Sequence, residues 1–424
     1  MTQRILAIGD LHLGRRPSRL PEDLDSGQRL GPSASWHASV EAAIDGQADA
    51  VLLAGDVVED RDDLYEAYPD LAAGVERLAK HGITVLGIAG NHDGEVLPRL
   101  ADSLPDFHLL GRGGRWEVRT IGGVEIVGWS FPGALCTANP LEAGLPPRSG
   151  NRPRLGLLHC DRDQLGSRYA PVRSAELQAA DTDAWLLGHI HRPDPLSGER
   201  PAGYLGSAVG LDPGDAGARG PWWIRVQGPG AVSAEHVPLA PLRWESITVD
   251  LDDLTEIDAV HGRVLENLRA LHERRARTGC RAVAVGCRLV FTGRPARDLH
   301  LEARLGPAGI HSLREQIDGT IYFIEALRIQ TDPAIDLEQL AAGTDPVGLV
   351  AQRLLLLRRP EGDPERAALL RRARPKLEST LEQRTYWDLG SRELSDTEVA
   401  ATLERAARQA LDHLLSQRPE TTDP

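Results

Sequence analysis

The sequence contains few cysteines and no long apolar run. Its four cysteines show neither the paired spacing of a structural zinc site nor a disulfide framework, so neither device is expected to hold the fold together. No apolar stretch is long enough to cross a bilayer, and the run Ile5–Ile8 is too short for the apolar part of a secretory signal. We therefore expect a cytoplasmic protein that does not associate with membranes.

An excess of positive charge is also absent. The chain carries 62 Asp and Glu against 48 Lys and Arg, which gives a formal net charge of −14. Proteins that bind nucleic acid over their whole surface are expected to be basic, so that class is excluded. Any contact with nucleic acid must be local or must be supplied by a partner subunit.

Five apolar segments of strand length end in Asp, Asn or His residues. They are Ile5–His12, Val51–Asp56, Val85–Asp93, Leu155–His159 and Trp185–His191. In an open α/β sheet the carboxyl ends of the strands face one crevice, and ligands bind there. The sequence therefore predicts that the polar residues at these ends converge: Asp10, His12, Asp56, Asn91, His92, His159, His189 and His191.

These residues offer oxygen and nitrogen ligands without a thiolate, which suits Mn, Fe or Zn better than a cysteine-bound structural zinc. Asp10 and His12 are two residues apart, as are His189 and His191, so in an extended chain the members of each pair face the same way. Any one segment alone is better explained by ordinary turn and cap residues. All five in this order indicate a metal centre.

The segments resemble the calcineurin-like metallophosphoesterase superfamily. Within it the chain is similar to DNA-repair exonucleases of the SbcD type, and among those to the YhaO-like bacterial branch. The superfamily motifs D-x-H, G-D, G-N-H-D, H and G-H-x-H are matched by Asp10–His12, Gly55–Asp56, Gly90–Asp93, His159 and Gly188–His191. The features of the SbcD type are Tyr169–Val172, Tyr204–Arg225 and Arg243–Leu251.

The resemblance implies the fold and the cofactors. The fold would be α/β, a four-layer αββα sandwich with a small α/β cap domain and a C-terminal helical region. The cofactors would be two divalent metal ions, with manganese favoured and iron, zinc or magnesium as alternatives. One ion would be held by Asp10, His12, Asp56 and His191. The other would be held by Asp56, Asn91, His159 and His189.

The same resemblance assigns catalytic roles. Asp56 would bridge the ions, Asn91 would bind one of them, and His92, which is not a ligand, would face the scissile phosphate. Asp93 is expected to orient a group behind the ligands, because ligating histidines usually donate their second N–H to an acceptor. SbcD-type nucleases usually carry a histidine three residues after the bridging aspartate, where this chain has Glu59. That departure concerns processive exonuclease activity on duplex DNA rather than metal binding.

Arginines near the metal motifs are the candidate phosphate contacts, because a guanidinium binds phosphate through two N–H groups. Arg15 and Arg16 follow the first motif, and Arg162 follows the fourth. Each one singly is explained equally well by a solvated loop charge. Further candidates in the same loops are Arg19, Arg152, Arg154 and Arg168.

Three domains are expected. Residues 1–240 would be the catalytic domain, and residues 243–332 a small α/β module, which the resemblance makes a cap that orients DNA. Its charged helix, with Arg274, Arg275 and Arg277, faces either phosphate or solvent. Residues 333–424 are helical in pattern, and in SbcD-type proteins such helices bind an SMC-like ATPase. A homodimer through the catalytic domain is implied by the resemblance alone.

The predicted function is that of a two-metal-dependent phosphodiesterase acting as an exo- or endonuclease on DNA in repair, together with an SMC-like ATPase. A second possibility keeps the chemistry but takes a small phosphodiester or phosphomonoester as substrate. The acidic charge and Glu59 favour this alternative, while the cap and the helical tail favour DNA. A regulatory scaffold subunit with weak or no catalysis is the third alternative, which the complete ligand set disfavours.

Overall fold

The computed structural model describes residues 2–24, 27–59, 64–164, 166–252, 254–295, 301, 313–331, 337–381 and 394–416. The chain divides into two compact units. The first unit comprises Met1–Thr248, Val264–Val290 and Leu305–Arg328, and the second comprises Val249–Arg263, Phe291–Arg304 and Ile329–Pro424. The division into three domains stays a prediction.

Helices separate the first four strands of the chain, and strands follow one another more often after that. The strands are β1 (Gln3–Ile8), β2 (Ala50–Ala54), β3 (Thr84–Ile88), β4 (Phe107–Leu109), β5 (Trp116–Ile121), β6 (Val124–Trp129), β7 (Arg154–His159), β8 (Ala184–Gly188), β9 (Ala202–Tyr204), β10 (Trp222–Gly228), β11 (Ala231–His236), β12 (Leu242–Asp250), β13 (Ala284–Thr292), β14 (Arg314–Ile317) and β15 (Thr320–Ile329). The helices are α1 (Gly27–Leu30), α2 (Pro32–Asp45), α3 (Leu64–Lys80), α4 (Leu97–Asp102), α5 (Ser174–Ala179), α6 (Ile257–Ala276), α7 (Leu337–Ala341), α8 (Pro346–Leu357), α9 (Pro364–Leu381) and α10 (Asp396–Ser416), with a 3₁₀ turn at Pro140–Ala143.

The strands that precede the candidate ligands belong to two different sheets. One sheet has the order β11-β10-β1-β2-β3-β4, with β1 to β4 parallel, and the other has the order β5-β6-β7-β8-β9. The premise of one open sheet is therefore wrong, because β7 and β8 pair with β6 and β9 rather than with β1. The metal motifs are spread over two facing sheets.

Alternate residues of β1 show how the layers stack. Leu6 and Ile8 pack against Trp36 of α2 and other apolar residues of α2 and α3. Ile5 and Ala7, on the opposite face, pack with residues of β2, β7 and β8 between the two sheets. Because both faces of the strand are covered, its sequence is a continuous apolar run. The other face of the second sheet buries Leu177 of α5, which confirms the four layers of the predicted sandwich.

A third sheet has the order β12-β13-β15-β14. Together with α6 these strands agree in type with the small α/β module expected over residues 243–332. The short strand β14 has no buried apolar residue. Trp244 of β12 and Phe323 of β15 pack with Val209 and Leu211 of the catalytic segment, all within the first unit.

The C-terminal helices pack on one another within the second unit. Asp345 caps α8 by accepting the backbone N–H of Gly348 at 2.8 Å, and a proline follows as its first residue. Leu354 of α8 packs against Leu411 of α10, and Leu357 packs against Leu370 of α9. The helical pattern of this region is confirmed. Among the described residues, no helix is both long and apolar enough to span a membrane.

Candidate metal centre

One group of candidate ligands forms where β1 and β8 end. Nε2 of His12 lies 3.2 Å from Nε2 of His191 and 3.9 Å from Oδ2 of Asp56. Asp10, His12 and Asp56 each offer one ligand atom, and these atoms lie within 4.8 Å of one another. Oδ2 of Asp10 is buried and has no hydrogen-bond partner among the described residues. A buried, unpartnered carboxylate oxygen beside imidazole nitrogens fits a divalent cation.

A second group shares Asp56 with the first. Nε2 of His159 lies 3.0 Å from Oδ1 of Asn91 and 3.4 Å from Oδ2 of Asp56. Nδ1 of His189 lies 3.0 Å from the same Asn91 oxygen. Asp56, His159 and His189 offer ligand atoms within 4.8 Å of one another. The structure thus brings all seven predicted ligands together in two adjoining groups, and their division between two ions stays a prediction.

Each histidine of the two groups has a partner on its far side. Nδ1 of His159 donates to the carbonyl oxygen of Ala54 at 3.1 Å. Nε2 of His189 lies 3.2 Å from Asp161, and Nδ1 of His191 lies 3.5 Å from Asp215. Such partners fix which ring nitrogen is left for a metal ion. Nδ1 of His12 faces Glu59 at 2.6 Å.

Asp161 and Asp215 were missed by the sequence analysis. Asp161 stands two residues after His159, which was the one available signal, because that spacing recurs in the first and last motifs. Asp215 lies in a glycine-rich stretch that carries no motif. Only the fold brings Asp215 to His191.

Several candidate ligands have backbone angles in the left-handed region. The φ angles are 38° at Asp10, 50° at His12, 47° at Asp56 and 103° at His189. Such angles cost residues other than glycine about 1–3 kcal/mol each, and they cluster at functional sites. The argument from an extended chain is therefore wrong, since Asp10 and His12 converge through a tight turn. His189 and His191 belong to different groups.

Glycines beside the ligands allow close approach of neighbouring atoms. A Cβ atom on Gly90 would lie 2.1 Å from Oδ1 of Asp56, and one on Gly188 would lie 2.0 Å from the carbonyl oxygen of Ala54. Real Cβ atoms essentially never come this close to another heavy atom. Any side chain at either position would separate the loops that form the two groups.

The charges of the centre are strongly coupled. Burial alone would raise the pKa of Asp56, but His159, His12 and His92 outweigh it and hold that pKa well below its usual range. Burial would lower the pKa of His159, but Asp56 and Asp10 outweigh it and raise that pKa to about 9. In the absence of a metal ion, His159 therefore carries the proton that balances the carboxylates.

Asp93 joins the loops after β2 and β3 rather than holding a histidine. Its Oδ2 accepts the backbone N–H of Val57 at 2.7 Å, and its Oδ1 accepts that of Gly90 at 2.7 Å. The carboxylate is fully buried. The group that Asp93 orients is thus the main chain that follows Asp56 and the main chain that precedes Asn91.

His92 lies at the open side of the centre. Its side chain is 40% exposed, and its backbone N–H donates to Oδ1 of Asp56 at 3.0 Å. Its Nδ1 lies 3.2 Å from the carbonyl oxygen of Glu59, which fixes Nδ1 as the donor. His92 also forms a group with His12 and Glu59, whose ligand atoms lie within 4.8 Å of one another.

The candidate phosphate contacts differ in how far they are already engaged. Arg15 lies 3.6 Å from Glu59, and Arg16 is exposed. Arg162 donates to Asp194 at 2.8 Å and lies over the ring of Tyr204.

Two other arginines proposed for phosphate are buried instead. Arg154 is fully buried against Glu125, with N–O distances of 2.8 and 2.6 Å. Arg275 of the cap helix is buried and donates to the hydroxyl of Tyr322. For both, a role in binding phosphate is wrong. Arg154 pairs with Glu125 of the neighbouring strand in its own sheet, and Arg275 joins its helix to Tyr322 of β15.

Comparison with known proteins agrees with this geometry. Residues 3–193 match the family model of the calcineurin-like phosphoesterases. An uncharacterized metallophosphoesterase of Bacillus subtilis, YhaO, is 27% identical over 343 residues, which are 76% of this chain and 80% of that protein. The DNA double-strand break repair protein Mre11 of Haloferax volcanii is 29% identical over 280 residues, 62% of this chain and 58% of that protein.

A crystal structure of a dimetal phosphatase from Danio rerio overlaps 55% of this chain and 98% of its own, with 11% identity and a TM-score of 0.35. The family match covers somewhat less than half of the chain, and it includes every residue of the candidate site for two divalent ions.

Proposed function

We propose that this protein is a two-metal-dependent DNA nuclease that acts in DNA repair. The observation that carries the proposal is the convergence of seven oxygen and nitrogen ligands in two groups that share Asp56. The relatives named as DNA double-strand break repair proteins support DNA as the substrate. Manganese is the proposed metal, because the ligand set is of hard and borderline character without thiolate.

The chemistry divides between the ions and the chain. Two bound ions would supply Lewis acidity for an in-line displacement at phosphorus. Asp10, His12 and His191 would hold one of them, and Asn91, His159 and His189 the other, with Asp56 shared. The acceptors behind the histidines, such as the carbonyl of Ala54, keep the lone pair of the other ring nitrogen directed into the centre. The protein therefore needs no covalent nucleophile of its own.

His92 is the proposed group for proton transfer. The contact between its Nδ1 and the Glu59 carbonyl directs Nε2 away from the loops. Its backbone N–H, which donates to Oδ1 of Asp56 at 3.0 Å, places the residue beside the shared ligand. When protonated, Nε2 is able to donate to the leaving oxygen, a role typically worth about 10²–10⁴ in rate.

The proposed partners are DNA, an SMC-like ATPase that binds the C-terminal helices, and a second copy of the chain. The net charge of −14 supports a partner subunit, since the chain itself lacks the basic surface that tight DNA binding requires. The proposed location is the cytoplasm.

A small phosphodiester or phosphomonoester is the second candidate substrate. Glu59 places a carboxylate next to His92, and a carboxylate there would repel a polyanion more than a small, singly charged ester. The fold and the metal chemistry would be the same.

The test is cleavage of end-labelled duplex and single-stranded DNA by the full chain with Mn²⁺, with bis-p-nitrophenyl phosphate as a small diester. Asp56→Asn is the blank, and Asp102→Asn, an exposed carboxylate paired with Arg112, is the matched control. DNA cleavage by the wild type and the control, absent from the blank, would support the nuclease. Cleavage of the small diester alone, also after addition of an SMC-like ATPase, would support the second candidate. Inactivity on every substrate, with no Mn²⁺ bound, would refute both and favour a scaffold.

A further inference from the structure

Glu59 reaches the centre through a short pairing of two loops. The backbone N–H of Leu13 donates to the carbonyl of Val57 at 2.9 Å, and that of Glu59 donates to the carbonyl of Leu13 at 3.1 Å. The loops that follow β1 and β2 thus continue side by side beyond the sheet. Asp93 holds the second loop from the other side through the N–H of Val57. The backbone of Glu59 is therefore fixed beside His12.

The carboxylate of Glu59 faces the ring of His12. Oε2 of Glu59 lies 2.6 Å from Nδ1 of His12, and the Glu59 side chain is only 20% exposed. The angle of this contact departs from that of a regular hydrogen bond, and neither atom makes a hydrogen bond elsewhere among the described residues. A carboxylate at this distance keeps the proton on Nδ1, so the lone pair lies on Nε2. Nε2 is the atom that faces His191 and Asp56.

The contact is the closest of its kind in the centre. Carboxylate oxygens lie 3.2 Å from Nε2 of His189 and 3.5 Å from Nδ1 of His191. His159 has a carbonyl as its partner instead. Glu59 therefore acts on the group of His12 and His191, and not on the group of His159 and His189.

We propose that Glu59 is a positioning residue that sets the metal affinity of the His12 and His191 group. It would do so by fixing the tautomer and orientation of His12 and by making that imidazole a stronger donor through its negative charge. This inference rests on the proposed two-metal centre and adds that the two ions are held unequally without Glu59. It also gives a positive role to the residue by which the chain departs from the SbcD-type pattern.

The side chain and the main chain of Glu59 act on different histidines. The carboxylate contacts His12, whereas the carbonyl oxygen contacts Nδ1 of His92 at 3.2 Å. A substitution of the side chain removes the first contact and leaves the second in place. The effect on metal binding is therefore separable from the orientation of His92.

The test is titration of the full-length, metal-free protein with Mn²⁺, followed by electron paramagnetic resonance and calorimetry. The wild type is expected to bind two ions and to show the spectrum of a spin-coupled pair. Glu59→Gln is expected to weaken one of the two sites by about 10–100-fold, the usual effect of removing such a partner. At limiting Mn²⁺ it would show the spectrum of a single ion.

Two further variants make the result specific. Asp161→Asn removes the partner of His189 and is expected to weaken the other site, whereas Glu41→Gln, an exposed carboxylate paired with Arg77, is expected to change neither. Two sites of wild-type affinity in Glu59→Gln would overturn the inference. If that variant does not fold, Glu59→His decides in the same way, because it lacks the carboxylate. The proposed function fails separately, when the wild type binds two ions but cleaves no DNA.

Discussion

The buried ion pair of Arg154 and Glu125 allows a quantitative test of the corrected role of this arginine. Both side chains are fully buried, and Nη1 of Arg154 also donates to the carbonyl of Pro146 at 2.8 Å. Removing one member of such a pair leaves an uncompensated buried charge, which costs about 3–5 kcal/mol. Arg154→Met is therefore expected to lower the free energy of unfolding by about that amount.

The expected change is large enough to measure by thermal unfolding. For a unit of about 150–250 residues, 1 kcal/mol shifts Tm by about 2–4 °C, so Arg154→Met should lower Tm by about 6–20 °C. Glu125→Leu combined with Arg154→Met removes both charges and should recover part of the loss, since an apolar pair of similar volume is often neutral or stabilising.

The reasoning is refuted if Arg154→Met keeps the wild-type Tm and loses DNA affinity instead. That result would return this arginine to the phosphate contacts. Arg16→Met is the matched control, because Arg16 is exposed and is expected to leave Tm unchanged.

Three further predictions concern the centre and the cysteines. Asp56→Ala should lose both Mn²⁺ binding and hydrolysis, whereas His92→Ala should keep Mn²⁺ binding and hydrolyse about 10²–10⁴-fold more slowly. Loss of Mn²⁺ binding in His92→Ala would contradict a role of His92 in proton transfer alone. In the metal-free protein, the raised pKa of His159 contributes stability that is complete below pH 6.5 and is lost as the pH rises through about 9. Mn²⁺ affinity should increase over the same pH range, because protons compete with the ion for Nε2 of His159. A Mn²⁺ affinity that calorimetry finds independent of pH would contradict the raised pKa of His159. Burial alone would raise the pKa of the Cys280 thiol, but a backbone N–H and Arg275 outweigh it and lower that pKa. Burial raises the pKa of the Cys160 thiol. Iodoacetamide should therefore label Cys280 before Cys160, which mass spectrometry would measure.

The sequence predicted what depends on local pattern. Apolar runs of strand length located β1, β2, β3, β7 and β8, and the polar residues after them are the ones that converge. Four of these strands end before their ligands, at Ile8 in the first case, because those ligands lie in turns, whereas β7 ends at the ligand His159 itself. Pairing of the strands into two sheets depends on long-range packing, which no local pattern specifies.

The roles that could not be predicted from the sequence are those that depend on contacts between distant segments. Asp215 reaches His191 only through the fold, and Arg154 became a core residue only because Glu125 of the neighbouring strand β6 faces it. Glu59 was recognised as a departure from a pattern, but its contact with His12 requires the pairing of two loops. A charged residue in sequence thus predicts a charge but not its partner.

The division of the ligands between two sheets has a thermodynamic consequence. Asp56 follows β2 of the first sheet, whereas His159 ends β7 of the second. An ion bound to both would cross-link the sheets at the edge where they meet. An ion that binds the folded but not the unfolded chain stabilises the fold by RT ln(1 + [L]/Kd), which is about 2.7 kcal/mol when the free ion concentration is a hundred times Kd. The resistance of the catalytic sandwich to heat would then vary with the free metal concentration of its surroundings.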